Sequence, residues 1–306
     1  MFSTLTKING YSPIKALFLK EFWDNKRAIL ITPMVVTGLF IVFSLIALIN
    51  GSGMMIDGAQ LTEHLANAQN IDKHSTSIIT GIIIFSPMIL FISVAFSMIF
   101  TALSVLFDER KNKSILFWKS MPVSDTQEVL VKLATVIFII PLVAIPFVLI
   151  IQAVTTLIIG ALIAVNSDYN IWDFVFLNIN YLTIMVGDIV PAFVVILWAL
   201  PIFTWFMLVS SFSKRSPFLL AFIVPVLIMI AESIFFRSSL LQQAIASRFI
   251  YLEKYAGRYD IDDGFTLDRV TSLLSSFSEP NFWMGLVAAA LMIVGCIQLR
   301  KRNMIT

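Results

Sequence analysis

The chain has 306 residues, of which 58% are hydrophobic and only 13% charged, with a formal net charge of +2. Soluble proteins average about 25% charged residues, so this composition excludes an ordinary soluble domain and indicates an integral membrane protein. A single cysteine, Cys296, excludes a disulfide framework or a multi-cysteine metal site, and nothing points to nucleic acid as a partner.

The first predicted element lies in "SPIKALFLKEFWDNKR". Ser12 is placed to cap a helix with Pro13 at its first position, and Ile14, Leu17, Phe18 and Phe22 recur at helical spacing, with Lys15, Lys20, Asp24 and Asn25 elsewhere. Residues 11–27 therefore read as an amphipathic helix on a membrane surface, with Trp23 at the interface. It serves either as a passive anchor or as an elbow that braces the first span against a partner, through Phe18, Glu21, Phe22 and Trp23. The first apolar run, from Ala28, is long enough to span, so no cleavable signal peptide is expected.

Six runs meet the length of roughly 20 apolar residues that a spanning helix needs. They are residues 28–50, 77–107, 128–165, 179–212, 217–236 and 282–299, which predicts an all-α polytopic fold in one domain. The second, third and fourth are well over the ~30 Å that a hydrocarbon core requires at ~1.5 Å per residue, so they must tilt, break or protrude. Pro141, Pro146, Pro191 and Pro201 are available for kinks.

Six crossings put fifteen of the 21 Lys and Arg residues on the side shared by both termini and six on the other. Basic loops face the cytoplasm, so both termini are expected inside a cytoplasmic (inner) membrane. The other side then holds residues 51–76 and 237–281. The latter carries helical periodicity in "SSLLQQAIASRFIYLEKYAG" and "FTLDRVTSLLSSF" on either side of the acidic turn "YDIDDG", which predicts two short outer helices. The turn could hold a cation but reads more simply as solvated. His64 and His74, near Glu63 and Asp72, lack a specific metal-ligand spacing.

The connection "ERKNKSILFWKSMPVSD" is different, because Ile115, Leu116, Phe117 and Trp118 stand together between lysines. Pro122 disfavours a helical Met121, so a helix begun near Asn112 should end there. Ser124 with Gln127, and Asp125 with Glu128, then form capping-box patterns at the start of the third span. Four apolar neighbours on a helix cover its whole circumference, so one face cannot bury them all. Some can pack on the feet of the chain's own spans or dip into the interface, and the rest present an apolar patch of the kind that marks a binding site, unless the tip simply lies back on the membrane.

The run "LFDERKNKSILFWKSMPVSDTQEVLVKL", with Glu109-Arg110 before the apolar tip and Pro122-Val123-Ser124 and Lys132 after it, resembles the permease subunits of ABC-2 type exporters. "LFLKEFWDNKR" before the first span, six spans and a helical insertion before the last are similar to that family as well, although residues 112–115 depart from the run many members carry there. The resemblance implies that residues 112–122 form a coupling helix, with Glu109, Arg110, Ile115, Leu116, Phe117 and Trp118 in the contact with a separate ATPase subunit. It also implies a second permease, identical or different, and ATP with magnesium on the ATPase. No G-x-x-x-x-G-K-[ST] run occurs, so no P-loop is expected here and the chain is not expected to be an enzyme.

Along the second span Ser86, Ser93, Ser97, Thr101 and Ser104 fall on one stripe, suited either to close helix packing or to the wall of a pathway or dimer interface. Asp188 is the charge placed deepest in a span, where a charge costs on the order of 2.5 to 3.5 kcal/mol. It reads as functional unless the outer boundary makes it interfacial, while Glu232, near the end of the fifth span, is expected to snorkel. A secondary transporter using Asp188 is the alternative function. An intramembrane enzyme finds no support, since H-E-x-x-H, a second membrane aspartate and a His partner for Ser or Cys are all missing.

Overall fold

The computed structural model describes residues 13–49, 73–115, 123–166, 181–256 and 274–302. All regular elements among them are helical, and six helices are long and apolar enough to cross a membrane. The predicted multi-pass helical architecture is therefore present. Of the predicted tip helix, residues 112–122, only 112–115 are described, and residues 116–122 lie outside the described residues, as do His64 and the acidic turn.

Helix α1 (Pro13–Asp24) precedes α2 (Thr32–Ile49), whose first turn, Arg27–Ile31, is a π-helix. The overlong second run breaks into α3 (Lys73–Phe85), α4 (Met88–Ser104) and α5 (Phe107–Lys111). Pro87, which cannot donate a backbone hydrogen bond, caps the N-terminus of α4. The third run contains α6 (Asp125–Ala134), a π-turn at Thr135–Ile139 and α7 (Ile140–Asn166), with Pro141 just beyond the turn and Pro146 inside α7.

The fourth run is two helices rather than one: α8 (Tyr181–Trp198) and α9 (Leu200–Phe212). At ~1.5 Å per residue the combined run would approach 50 Å, and the break falls at Ala199, two residues before Pro201. Then come α10 (Pro217–Ala231), ending in a π-turn at Glu232–Phe236, α11 (Leu240–Ala256), a 3₁₀ turn at Ser275–Ser278 and α12 (Pro280–Arg302). Helix α11 falls in the first of the two stretches whose periodicity predicted a short helix after the fifth span. Glu232, following α10, turns its carboxylate toward α11 and caps it, accepting hydrogen bonds from Ser238 Oγ and from the backbone N–H groups of Leu240 and Leu241.

Helices α9 and α12 run side by side in the same direction. Trp198 meets Phe282 at 5.6 Å near their starts, and Thr204 Oγ1 reaches Met292 Sδ at 3.6 Å farther along. The main core forms where these helices pack with α4, α6 and α7, around Leu90, Met98, Val129, Val136, Met207 and Cys296. Faces of α2, α4 and α10 expose Phe43, Phe96, Phe100, Phe218 and Phe222, as lipid-facing surfaces do.

Candidate functional site

Six charged side chains from four parts of the chain converge at one end of the bundle. Helix α1 contributes Lys20 and Glu21, α5 contributes Glu109, α6 contributes Glu128 and Lys132, and the last turn of α12 contributes Arg300. Glu109 is central. Its Oε1 accepts from Lys20 Nζ at 2.5 Å and Lys132 Nζ at 2.7 Å, while Oε2 accepts from Arg300 Nη1 at 2.9 Å. Lys132 also donates to Glu21 Oε1 at 2.6 Å, and Arg300 donates to Glu128 Oε2 at 2.5 Å and to Asp125 Oδ1 at 3.1 Å.

These groups are removed from solvent: Lys132 and Glu21 are each 1% exposed, and Glu128 and Arg300 each 4%. Taking one such ion out of water costs several kcal/mol, and only the mutual contacts offset it. The cluster is therefore an all-or-none assembly. Lys20 shows the balance: burial lowers its pKa, but the Glu21 and Glu109 carboxylates raise it more, to about 12 from an ordinary 10.5. Three cations face four carboxylates including Asp125. Oε1 of Glu128 accepts no hydrogen bond among the described residues, with Lys20 Nζ 3.8 Å away.

Local sequence explains how the elements are aimed. Ser124 caps α6, accepting from the Gln127 N–H while Gln127 Oε1 accepts from the Ser124 N–H, which is the predicted capping box. The parallel Asp125–Glu128 pattern is not a second box. Both carboxylates turn to Arg300 instead, because a buried guanidinium offers a stronger, charge-assisted partner. On α1, Leu17 and Glu21 point inward, Phe22 packs at the core's edge, Phe18 is half-buried, and Trp23 is 60% exposed. Lys20, placed by the sequence on the polar face of α1, turns into the cluster.

A second tie anchors the fourth run. The break between α4 and α5 leaves the N–H groups of Leu106 and Phe107 free, and Ser210 Oγ of α9 accepts from both at 3.2 and 2.9 Å. Arg110 Nη2 donates to the carbonyls of Ser210 and Ser213, at 2.5 and 2.9 Å. Arg110 thus clamps the turn between α9 and α10, where the sequence placed it at a docking surface. Two residues at the start of the tip are also described. Lys113 adopts a left-handed conformation at φ 57, so helix resumes at Ser114 rather than running on from Asn112. Ile115 is 8% exposed, so of the four apolar tip residues this one packs inward. Leu116, Phe117 and Trp118 lie outside the described residues.

The hydroxyl stripe of α4 is drawn into the bundle. Ser97 and Thr101 are buried, and Ser86, Ser93 and Ser104 donate to carbonyls three residues back. Asp188 is far from the ionic cluster. It accepts a hydrogen bond from Gln152 Nε2, and Gln152 follows Lys132 by a rise of at most about 30 Å along α6 and α7, roughly a full hydrocarbon thickness. The carboxylate lies away from the basic end, within the apolar helix Tyr181–Trp198, whose last residue meets Phe282 at the far end of the bundle. At that end Arg248 of α11 lies 5.1 Å from the Trp198 ring and donates to the Asn281 carbonyl at 2.6 Å.

The ionic cluster was missed in the sequence because directly bonded partners within it are separated by up to 191 positions, although Lys132 at the start of a span was a partial signal. Among the described residues no group of three or more His, Cys, Asp or Glu is arranged to hold a metal. The cluster's chemistry is cohesion between segments. No protein-family profile, characterised protein or solved structure matches the chain.

Proposed function

We propose that the chain is the membrane-spanning permease subunit of an ATP-driven exporter of the ABC-2 type. A separate ATPase, carrying ATP and magnesium, docks on the tip at residues 112–122. The basic end of the bundle faces the cytoplasm, α1 serves as the elbow helix, α11 belongs to the extracellular insertion, and a second permease, identical or different, completes the pathway.

One observation supports this reading above the others: the residues on both sides of the tip are the ones locked into the buried ionic cluster. Glu109 enters the tip, and Asp125 and Glu128 leave it, and together they hold α1 through Lys20 and the last helix through Arg300. A displacement at the tip cannot be absorbed there, because any gap strands a buried charge. It passes to α1, α6 and α12 together, and through Arg110 and Ser210 to α9. That is the mechanical property a permease needs where an ATPase pushes on it.

The test is whether the protein, purified in mild detergent from its native membrane, brings magnesium-dependent ATP hydrolysis with it. Hydrolysis should copurify and be stimulated by reconstitution into lipid. A preparation that is intact yet lacks any ATP-hydrolysing subunit argues against the reading.

A further inference from the structure

A second charged corner at the basic end differs from the ionic cluster, because its cations meet no carboxylate. Lys214 and Arg215, on the turn between α9 and α10, are exposed, and neither forms a salt bridge among the described residues. Arg110, which clamps this turn, donates to the carbonyls of Ser210 and Ser213 and has no acidic partner among the described residues either. Helices α4, α9 and α10 carry no charged residue. On the adjoining α5, Glu109 is held by the ionic cluster, and exposed Asp108 shares its helix with exposed Lys111, three residues on. The corner is therefore electropositive.

An aromatic surface adjoins it. Phe100 of α4 stacks with Phe218 of α10 at 6.2 Å between ring centroids, Phe218 meets Phe222 at 4.9 Å, and Phe96 extends the row along α4. Each of these rings is about half exposed. Only Ser216 and Pro217 separate Arg215 from the first ring of α10, so positive charge gives way to lipid-facing aromatic surface within three residues. A phospholipid has the same order, with a charged head and then an acyl chain. The turn is also fixed in advance: Arg110 holds its carbonyls, Ser210 ties it to α5, and Trp205 Nε1 of α9 donates to the Ala221 carbonyl of α10 at 3.0 Å. Little ordering cost is left for a ligand to meet. Ser216 caps α10 without a side-chain hydrogen bond, which leaves the positive end of the helix dipole at the same corner.

We infer that the turn between α9 and α10, with the aromatic row of α4 and α10 beside it, is a binding surface for an anionic phospholipid of the leaflet at the basic end. Lys214 and Arg215 take the charged headgroup, and an acyl chain lies along Phe100, Phe218 and Phe222. A zwitterionic lipid presents the same phosphate but carries its own cation, which this corner repels. A soluble anion would gain nothing from the rings. A second copy of the chain packed here about a two-fold axis would bring like charges together. The inference is independent of whether an ATPase docks on the tip.

The test titrates the full-length protein in mild detergent with dioleoylphosphatidylglycerol or dioleoylphosphatidylcholine and counts bound lipid by native mass spectrometry. The wild type should bind its first phosphatidylglycerol roughly tenfold to thirtyfold more tightly than its first phosphatidylcholine. Lys214→Gln combined with Arg215→Gln should abolish that preference. Lys301→Gln combined with Arg302→Gln, an equally exposed basic pair at the same end, should keep it. Millimolar glycerol phosphate, a headgroup without a chain, should not displace the lipid. A wild type without the preference, or equal losses in the two paired variants, overturns the inference. So does displacement by glycerol phosphate, which would mean a plain anion site. A Lys214 and Arg215 variant that alters the proportion of dimer but not the lipid preference would assign the surface to a second copy instead.

Discussion

Arg300, in the last turn of the last helix, donates to Glu109, at the end of the second span, at 2.9 Å inside the protein. The same guanidinium reaches Glu128 and Asp125 beyond the tip, so one side chain closes the loop that the tip leaves open. Arg300→Met removes a cation shared by three carboxylates, of which Glu109 keeps Lys20 and Lys132, and the loss of one partner from a buried ionic group costs about 3 to 5 kcal/mol. Its neighbours Lys301 and Arg302 are exposed, and their alanine variants should stay within about 0.5 kcal/mol of wild type. Chemical unfolding in detergent compares the three. Equal effects would mean that Arg300 acts only as part of a basic tail.

Lys20 sets an alkaline limit. Its pKa is higher in the folded protein than in the unfolded chain, so its stabilisation is complete below about pH 10.5 and is lost as pH rises through about 12. Thermal unfolding should show a drop in stability across that window. Lys20→Arg keeps its charge to higher pH and should lose less there, whereas Lys20→Met should start lower at neutral pH and show no such drop. A wild-type profile that superimposes on Lys20→Met across the window contradicts the assignment.

How much of this was readable in advance differs between elements. Spans, the amphipathic α1 and the Ser124–Gln127 cap are local patterns of three to twenty residues, and the sequence displays them directly. The breaks at Pro87 and Ala199 followed from length, since runs that exceed the hydrocarbon thickness cannot remain straight, but which residue yields depends on packing. Arg300 and Lys20 were legible only as positive charges near span ends, because their partners are fixed by how the helices meet. Asp188 is legible as a charge inside a span, but its partner Gln152, 36 positions away, is set by how α7 and α8 meet.

Gly285 makes room for Arg248. A Cβ at this position would lie 2.5 to 2.7 Å from the guanidinium, so Gly285→Ala should displace the arginine from Trp198 and from the Asn281 carbonyl. The destabilisation should be about 1 to 2 kcal/mol and should match that of Arg248→Met. In a double-mutant cycle the two changes should be strongly non-additive. Additive losses would show that the glycine and the arginine act separately.

Orientation is open to chemical labelling. Cys296, the native cysteine, is buried, so introduced thiols can be read over a low background. Cysteines at Ser114 and Ser216 should be shielded from an impermeant thiol reagent in intact cells and become reactive when the membrane is opened, while one at Ser239 should react from outside. Labelling of Ser114 in intact cells would place the basic end outside and remove the basis for docking a cytoplasmic ATPase.

The most direct measurement returns to Trp118, at the tip between Glu109 and Glu128. A buried Trp anchor commonly contributes about 2 kcal/mol or more at an interface, which corresponds to a loss of roughly thirtyfold in affinity. Trp118→Ala, purified beside wild type in the same mild detergent, should keep its unfolding temperature while losing the copurifying ATP hydrolysis. If Trp118→Ala combined with Phe117→Ala leaves an ATPase fully bound and hydrolysis fully coupled to transport, the tip is not the docking surface and the proposed coupling route through Glu109 and Arg300 is wrong.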